Sequence, residues 1–159
     1  MTDTKTPKRA MLFLRANRAG RNDEKALTHA LALQRTTCQQ ALDRLRASVV
    51  KEYTEYGGAV DIGGRSELLD MLGDLMIQRN ADYVIAADWS RLGRKFEDLA
   101  FINNVIEEAG ALLVIATDHL DARLRAELFP RLPEGHQQLR DARPTWRKPI
   151  QRRANNGAA

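Results

Sequence analysis

Tyr83-Val84-Ile85-Ala86-Ala87 and Ala111-Leu112-Leu113-Val114-Ile115-Ala116-Thr117 are near-continuous apolar runs of strand length. Runs without polar alternation fit strands covered on both faces, as in a parallel sheet flanked by helices. The interval between them holds a helical pattern over about residues 95–109, with Leu99, Ile102, Val105 and Ile106 on one side and Gly110 as its stop. A helix-long connection is what parallel neighbours require, because a tight hairpin can join only antiparallel ones.

Upstream, the same alternation repeats. Ala10 to Arg15 (AMLFLR) reads as a first strand. Asn22-Asp23-Glu24 caps and charges the start of a long helix running to about Ala47, with Leu27, Leu31, Gln34, Cys38, Ala41 and Leu42 mostly three or four apart. Ser48 to Tyr56 (SVVKEYTEY) is a second strand that stops at Gly57-Gly58. A loop with Gly57, Gly58, Gly63 and Gly64 then leads to Arg65 and a helix carrying Leu68, Leu69, Leu72, Leu75 and Met76, ended by Asn80. The order βαβαβαβ predicts an α/β fold: a mostly parallel central sheet of four or five strands with helices on both faces. In such folds reactive groups collect at the C-terminal ends of the strands.

Downstream, a short helix is expected over about Leu120 to Phe129, before Pro130 and Pro133 block its continuation. Arg140 to Ala159 mixes Arg, Pro, Gly and Asn with little apolar content. The expected organisation is a flexible N-terminus over 1–9, one folded domain over 10–129, and a basic flexible tail over 130–159.

Length and composition agree with one domain. At 159 residues, 43% hydrophobic and 29% charged, the chain sits near the globular average. No apolar run approaches the roughly 20 residues of a membrane span, and the first residues lack the apolar stretch of a signal peptide. A cytoplasmic protein with no membrane partner is expected. The single Cys38 cannot close an internal disulfide and reads as a core residue. His29, His119 and His136 have no metal-ligand spacing, so no metal is expected. The pI of about 9.5 is a property of one end of the chain. Residues 1–118 hold 16 Lys+Arg against 17 Asp+Glu, whereas 119–159 hold 9 against 4. A basic segment of that kind attracts nucleic acid through counterion release, or serves solubility alone.

Four arginines fall where strand ends meet helix starts: Arg15, Arg65, Arg91 and Arg94. On a doubly wound sheet those ends converge, and several guanidiniums in one crevice suit an anion with many acceptor oxygens, such as phosphate. Arg91 and Arg94 flank Gly93 three residues apart, a spacing that would put both on one side of a helical turn. The plainer alternative is four solvated surface arginines.

The order of these residues resembles the catalytic domain of resolvase/invertase-type serine recombinases across roughly residues 10–118. That family begins with a strand ending in Arg-x-Ser-Thr, where this chain has Leu14-Arg15-Ala16-Asn17-Arg18. Leu33-Gln34-Arg35 with Cys38 is similar to a Gln- and Cys-containing segment of the family's first helix, and Lys51 to Gly58 to its next strand and Gly-rich turn. Arg65-Ser66-Glu67-Leu68-Leu69 matches an arginine ahead of a Leu-rich helix. Asp88-Trp89-Ser90-Arg91-Leu92-Gly93-Arg94 resembles the family's Asp-Arg-Leu-Gly-Arg, or its variant Asp-x-Ser-Arg-x-Gly-Arg.

The resemblance implies metal-independent phosphoryl transfer on DNA, with no cofactor. A serine hydroxyl attacks the phosphodiester, a 5′ phosphate becomes joined to the protein, and arginines stabilise the transition-state charge. Carried over by position, Arg15, Arg65, Arg91 and Arg94 are the phosphate-binding arginines, Asp88 and Ser90 belong to the catalytic set, and Asn17 holds the nucleophile position. A carboxamide has no hydroxyl to attack with. The expected chain is therefore a DNA-binding domain associated with DNA recombination or integration whose catalysis is degenerate. Its partners would be the DNA phosphate backbone, held weakly and in a salt-dependent way, and a second copy of itself or an active recombinase. One alternative is an active strand-exchange enzyme or nuclease with a relocated serine, Ser90 or Ser66. Another is an α/β domain that binds a phosphorylated ligand or a protein instead of DNA. Ser66 would ordinarily cap its helix, Ser48 opens a strand, and Asp88 could orient an arginine, shuttle a proton or be a plain strand-end acid.

Overall fold

The computed structural model describes residues 6–17, 24–57 and 62–117. Its elements are β1 (Lys8–Ala16), α1 (Glu24–Leu45), β2 (Ala47–Tyr56), a 3-10 turn (Ile62–Gly64), α2 (Ser66–Gln78), β3 (Tyr83–Ala86), α3 (Trp89–Leu92), α4 (Phe96–Glu108) and β4 (Leu112–Ile115). The strands form one sheet in the order β2-β1-β3-β4, and every neighbouring pair is parallel. The expected α/β architecture holds, with four strands.

Strand pleating divides the core between two faces. On one, Met11 and Phe13 of β1 and Val84 and Ala86 of β3 pack with Leu68, Leu72 and Leu75 of α2 and with Ile102 and Ile106 of α4. On the other, Leu12 and Leu14 of β1 and Ile85 of β3 meet Leu31, Cys38 and Leu42 of α1. Alternate residues of the central strands are thus buried on opposite sides, which is why their sequences read as unbroken apolar runs. Each Val, Leu, Ile, Phe or Met side chain among them, fully buried, contributes on the order of 1.5–3 kcal/mol.

Several boundaries differ from the expected ones. β1 begins at Lys8, so Lys8 and Arg9, expected in a flexible terminus, are strand residues opposite Ala47 and Ser48. The Arg9 amide donates to the Asp82 carboxylate at 2.9 Å and Lys8 pairs with it at 3.9 Å. Polar pairing of this kind leaves no hydrophobic signal. Asn80 does not end α2; Arg79 does, in the left-handed region (φ 46°, ψ 40°), its N–H reaching the Leu75 carbonyl at 3.0 Å. The four-residue α3, capped by Asp88, was not foreseen as a separate helix. Gly110 does lie just past α4 with φ +81°. The register between β1 and β2 slips between Ala10 and Met11, where Val50 is the extra residue.

The expected cap at Asn22-Asp23, the expected helix over 120–129, Gly58, His119, His136 and the tail over 130–159 lie outside the described residues. Among the described residues no helix is long and apolar enough to cross a membrane.

Candidate anion-binding site

The strand order fixes where a site can form. From β1 the chain passes through α1 to β2 on one side, then returns through α2 to β3 on the other side of β1. The chain leaves β1 through α1 towards β2 and leaves β3 through α4 towards β4, so these two connections diverge above the C-terminal ends of β1 and β3, where open parallel sheets typically form a crevice. Arg15 and Ala16 end β1 with Asn17 just after it, Glu55 and Tyr56 end β2 with Gly57 just after it, and Ala87 and Asp88 follow β3 into α3.

Arg15 and Glu55 sit directly opposite in register. Glu55 Oε2 accepts from Arg65 Nε at 2.8 Å and lies 3.3 Å from Arg15 Nε, so one buried carboxylate serves two guanidiniums. Its Oε1 is buried and accepts no hydrogen bond from the described residues. Burial holds the Arg15 guanidinium below its ordinary pKa; Arg65 lowers it further, Glu55 counters, and Arg94 and Arg91 add to the lowering. Arginine starts so high that Arg15 stays cationic at neutral pH. Three like charges bear on one guanidinium, and an anion beside it would offset them.

Arg65 is only 3% exposed, and each of its three nitrogens has a protein partner. Nε and Nη2 engage Glu55, Nη1 donates to the Leu92 carbonyl, and Nη2 donates to the Arg91 carbonyl at 2.9 Å. Its guanidinium also lies over the Phe13 ring, 5.7 Å from the centroid. Arg65 therefore ties α2 to the C-terminal end of α3 from below the crevice. It is also the residue before the first turn of α2, with no side-chain cap, so Ser66 does not fill the capping position expected of it.

Asp88 organises the opposite wall. Its Oδ1 accepts from the Ser90 amide at 3.0 Å and from the Ser90 hydroxyl, while Oδ2 accepts from Arg91 Nε at 3.2 Å. Of the readings open for Asp88, orientation of an arginine is the one these contacts express. Arg91 also reaches across with Nη1 to the Arg15 carbonyl, 3.2 Å away. Arg91 and Arg94 do not share a helical turn. Gly93 has φ 170° and ψ 172°, an extended residue that ends α3, and Arg94 lies beyond it, exposed.

Asn17 is exposed at the tip of β1, with its carboxamide over Gly57. The Gly57 amide donates to the Ala16 carbonyl at 2.8 Å, continuing the strand pairing to the crevice floor. Ser48 lies in β2 and is exposed.

Two residues matter more than their sequence context suggested. Glu55 was not singled out at all; a lone acid at a strand end looks like surface until its opposite residue in the register is known to be arginine. Gln34 was read as part of the stripe on the first helix. It is buried, and its carboxamide accepts from the Arg15 amide at 3.0 Å and donates to the Arg15 carbonyl at 2.8 Å. A glutamine within an apolar helical stripe was the available signal, since a buried amide needs polar partners.

The family model described as "Resolvase, N terminal domain" matches residues 10–132. The fold is similar to a resolvase family site-specific recombinase from Streptococcus pneumoniae, at TM-score 0.62 and 15% identity, covering 87% of this chain and 93% of that one. It is similar to the N-terminal catalytic domain of TP901-1 integrase, at TM-score 0.60 and 14% identity, covering 87% and 98%. A third neighbour is the C-terminal catalytic domain of ISC1926 TnpA, an IS607-like serine recombinase, at TM-score 0.54 and 15% identity, covering 86% and 97%. At such identities the likeness carries the fold alone. No curated protein sequence matches.

Proposed function

The chain belongs to the resolvase N-terminal-domain family, and from that premise we propose that it grips DNA phosphates without cutting them. The observation that carries this reading is the gathering of Arg15, Arg65 and Arg91 at the C-terminal strand ends, with Arg94 exposed just beyond α3, beside a β1 that runs out at Asn17 instead of a serine. Phosphate oxygens would be met by guanidinium N–H groups, with Arg65 and Glu55 holding Arg15 and α3 from behind. Asn17 offers no nucleophilic oxygen, so the covalent step does not occur. In this reading residues 10–129 form the domain, the basic stretch over 130–159 adds phosphate contacts, and the protein works as a dimer or beside an active recombinase. It would be an accessory DNA-binding component of recombination.

The test uses the purified full chain with a nicked duplex. We expect DNA binding that weakens with salt, is insensitive to sequence, and drops when Arg91 and Arg94 are replaced by alanine. We expect no protein–DNA adduct on a denaturing gel. A covalent adduct would overturn the non-cutting reading.

One contact favours a second reading. The Ser90 hydroxyl donates to the Asp88 carboxylate beside Arg91, a pairing that could activate a relocated nucleophile. Adduct formation lost in Ser90→Ala would establish it.

A further inference from the structure

Apolar side chains scattered singly over a surface are ordinary, so only their distribution carries information. Among the described residues, five large aliphatic side chains are exposed: Leu33 in the middle of α1, Val49 and Val50 in the first half of β2, Ile77 at the end of α2 and Leu112 at the start of β4. Leu33 apart, these lie towards the N-terminal ends of the strands. Two aromatic side chains are also exposed, Tyr56 at 52% and Phe96 at 46%, and both lie at the opposite end, where the arginines gather. The other described aromatic residues are buried or half-buried. We infer that Tyr56 and Phe96 are stacking platforms for unpaired bases, and that the DNA this site takes best is single-stranded. The inference rests on the phosphate-gripping reading above and narrows its substrate.

The two rings flank the arginines. Tyr56 ends β2 in register with Ala16, on one side of β1. Phe96 follows β3 and α3, on the other side of β1. With strands about 4.8 Å apart, the ends of β2 and β3 are separated by roughly 10 Å. The first turn of α4, which Phe96 opens, folds back onto the site: a Cβ built on Gly93 would lie 3.7 Å from Asp98 Cβ and 3.9 Å from Arg65 Nη1. Each ring also has cations near it. Arg94 and Lys95, both exposed, immediately precede Phe96. Arg35 is held by Glu52 through Nε at 3.0 Å and Nη2 at 2.7 Å. Those hydrogen bonds are the main force raising the Arg35 pKa, and the nearby Tyr56 hydroxyl adds to it.

Basic groups that track a backbone, interleaved with aromatic rings on which bases stack, are the chemistry of single-strand recognition. A duplex keeps its base faces inside its own stack, so exposed rings gain nothing from it beyond the phosphates. An unpaired strand presents a π-face at every base, which makes the contact indifferent to sequence. A guanidinium beside the ring can hold the adjoining phosphate or lie over the same base.

The experiment follows fluorescence anisotropy of the full chain with three labelled probes over a salt series: a single strand of about 16 nucleotides, the upper end of a single-strand site, the same backbone made abasic, and the corresponding duplex. We expect the strand with bases to bind at least about tenfold tighter than the abasic one, since each stacked base contributes roughly 5- to 150-fold. Phe96→Ala and Tyr56→Ala should each weaken single-strand binding about five- to tenfold and leave the other two probes unaffected. The slope of log K against log salt should not change in either, because a base contact releases no counterion. Phe96→Trp and Tyr56→Phe keep an aromatic face and should bind as wild type does, whereas Phe96→Leu should not. Arg91→Ala should reduce the single-strand slope by about 0.7. Equal affinity of the wild-type chain for the strand with and without bases would overturn stacking, and that comparison needs no variant. Wild-type single-strand affinity in both alanine variants, or equal weakening on strand and duplex, would overturn it too. Wild-type affinity and slope in Arg91→Ala would instead overturn the phosphate reading, whatever the preference between strands.

Discussion

Glu55 shows how much of the site depends on one carboxylate. Its side chain is 9% exposed and Oε2 is within 3.3 Å of two guanidinium groups. Breaking a buried ion pair by removing one partner leaves an uncompensated charge and costs about 3–5 kcal/mol. Glu55→Gln should therefore lower the unfolding free energy by about 3 kcal/mol in a urea titration. Adding Arg65→Met should recover part of the loss, because it withdraws one of the stranded cations. Cys38 offers a second residue-scale outcome. Burial is the main force pushing its thiol from the ordinary 9.0 to about 12, so the folded chain keeps the proton where the unfolded chain releases it. Between about pH 9 and pH 12 the unfolded state binds fewer protons, and stability must fall as pH rises. Tyr53 acts in the same direction above pH 10, its hydroxyl being raised by burial and by its hydrogen bond to Asp74. Urea midpoints measured from pH 8 to 11 should decline, less steeply in Cys38→Ala, and Cys38 should resist alkylation at pH 8 until the chain unfolds. At this scale the sequence was legible for Cys38, whose neighbours three and four residues further on, Ala41 and Leu42, are apolar. It was not legible for Glu55, because the partner that buries a charge is chosen by strand register, which local sequence does not encode.

Periodicity identified the long elements, and what it missed is short or polar. α1, α2 and α4 carry stripes of buried side chains three and four residues apart, and β1 and β3 are buried on both faces. α3 spans four residues, fewer than any stripe needs, and exists because the Asp88 carboxylate accepts from the Ser90 amide while Arg65 engages the Arg91 and Leu92 carbonyls. Those partners lie in different elements, so the three-residue spacing of Arg91 and Arg94 could not reveal that an extended Gly93 separates them. The polar join between α1 and β1 is likewise one side chain. Gln34 pairs with both backbone groups of Arg15, as a neighbouring strand would. Gln34→Ala removes a buried donor and a buried acceptor and should cost about 2 kcal/mol. Hydrogen exchange should localise the damage, with the Arg15 amide losing protection while amides in the middle of α2 and α4 keep theirs. Gln34→Glu should repair only half of the pairing, since a carboxylate accepts from the Arg15 amide but cannot donate to its carbonyl.

At the scale of the molecule, one topological fact explains why the arginines meet. β1 lies between β2 and β3, so residues 15, 55, 65 and 91 are gathered above adjacent strand ends despite their separation along the chain. The alternation of strands and helices foretold such a convergence, whereas the order β2-β1-β3-β4 had to be observed. Charge is distributed differently. Residues 1–118 carry one more acid than base, while 119–159 carry 9 Lys+Arg against 4 Asp+Glu. If the crevice alone met DNA, with Arg15, Arg91 and Arg94 each neutralising one phosphate, the slope of log K against log salt would be about −2.7. Phosphate contacts from the basic segment would steepen it by about 0.9 for each. We expect a slope steeper than −4, and replacement of Arg147, Lys148, Arg152 and Arg153 by glutamine should flatten it towards the crevice value. Because backbone contacts carry no sequence information, the same four substitutions should weaken all duplexes alike. A slope already near −2.7 in the wild-type chain, unchanged by the substitutions, would confine DNA contact to the crevice and leave the basic segment a role in solubility.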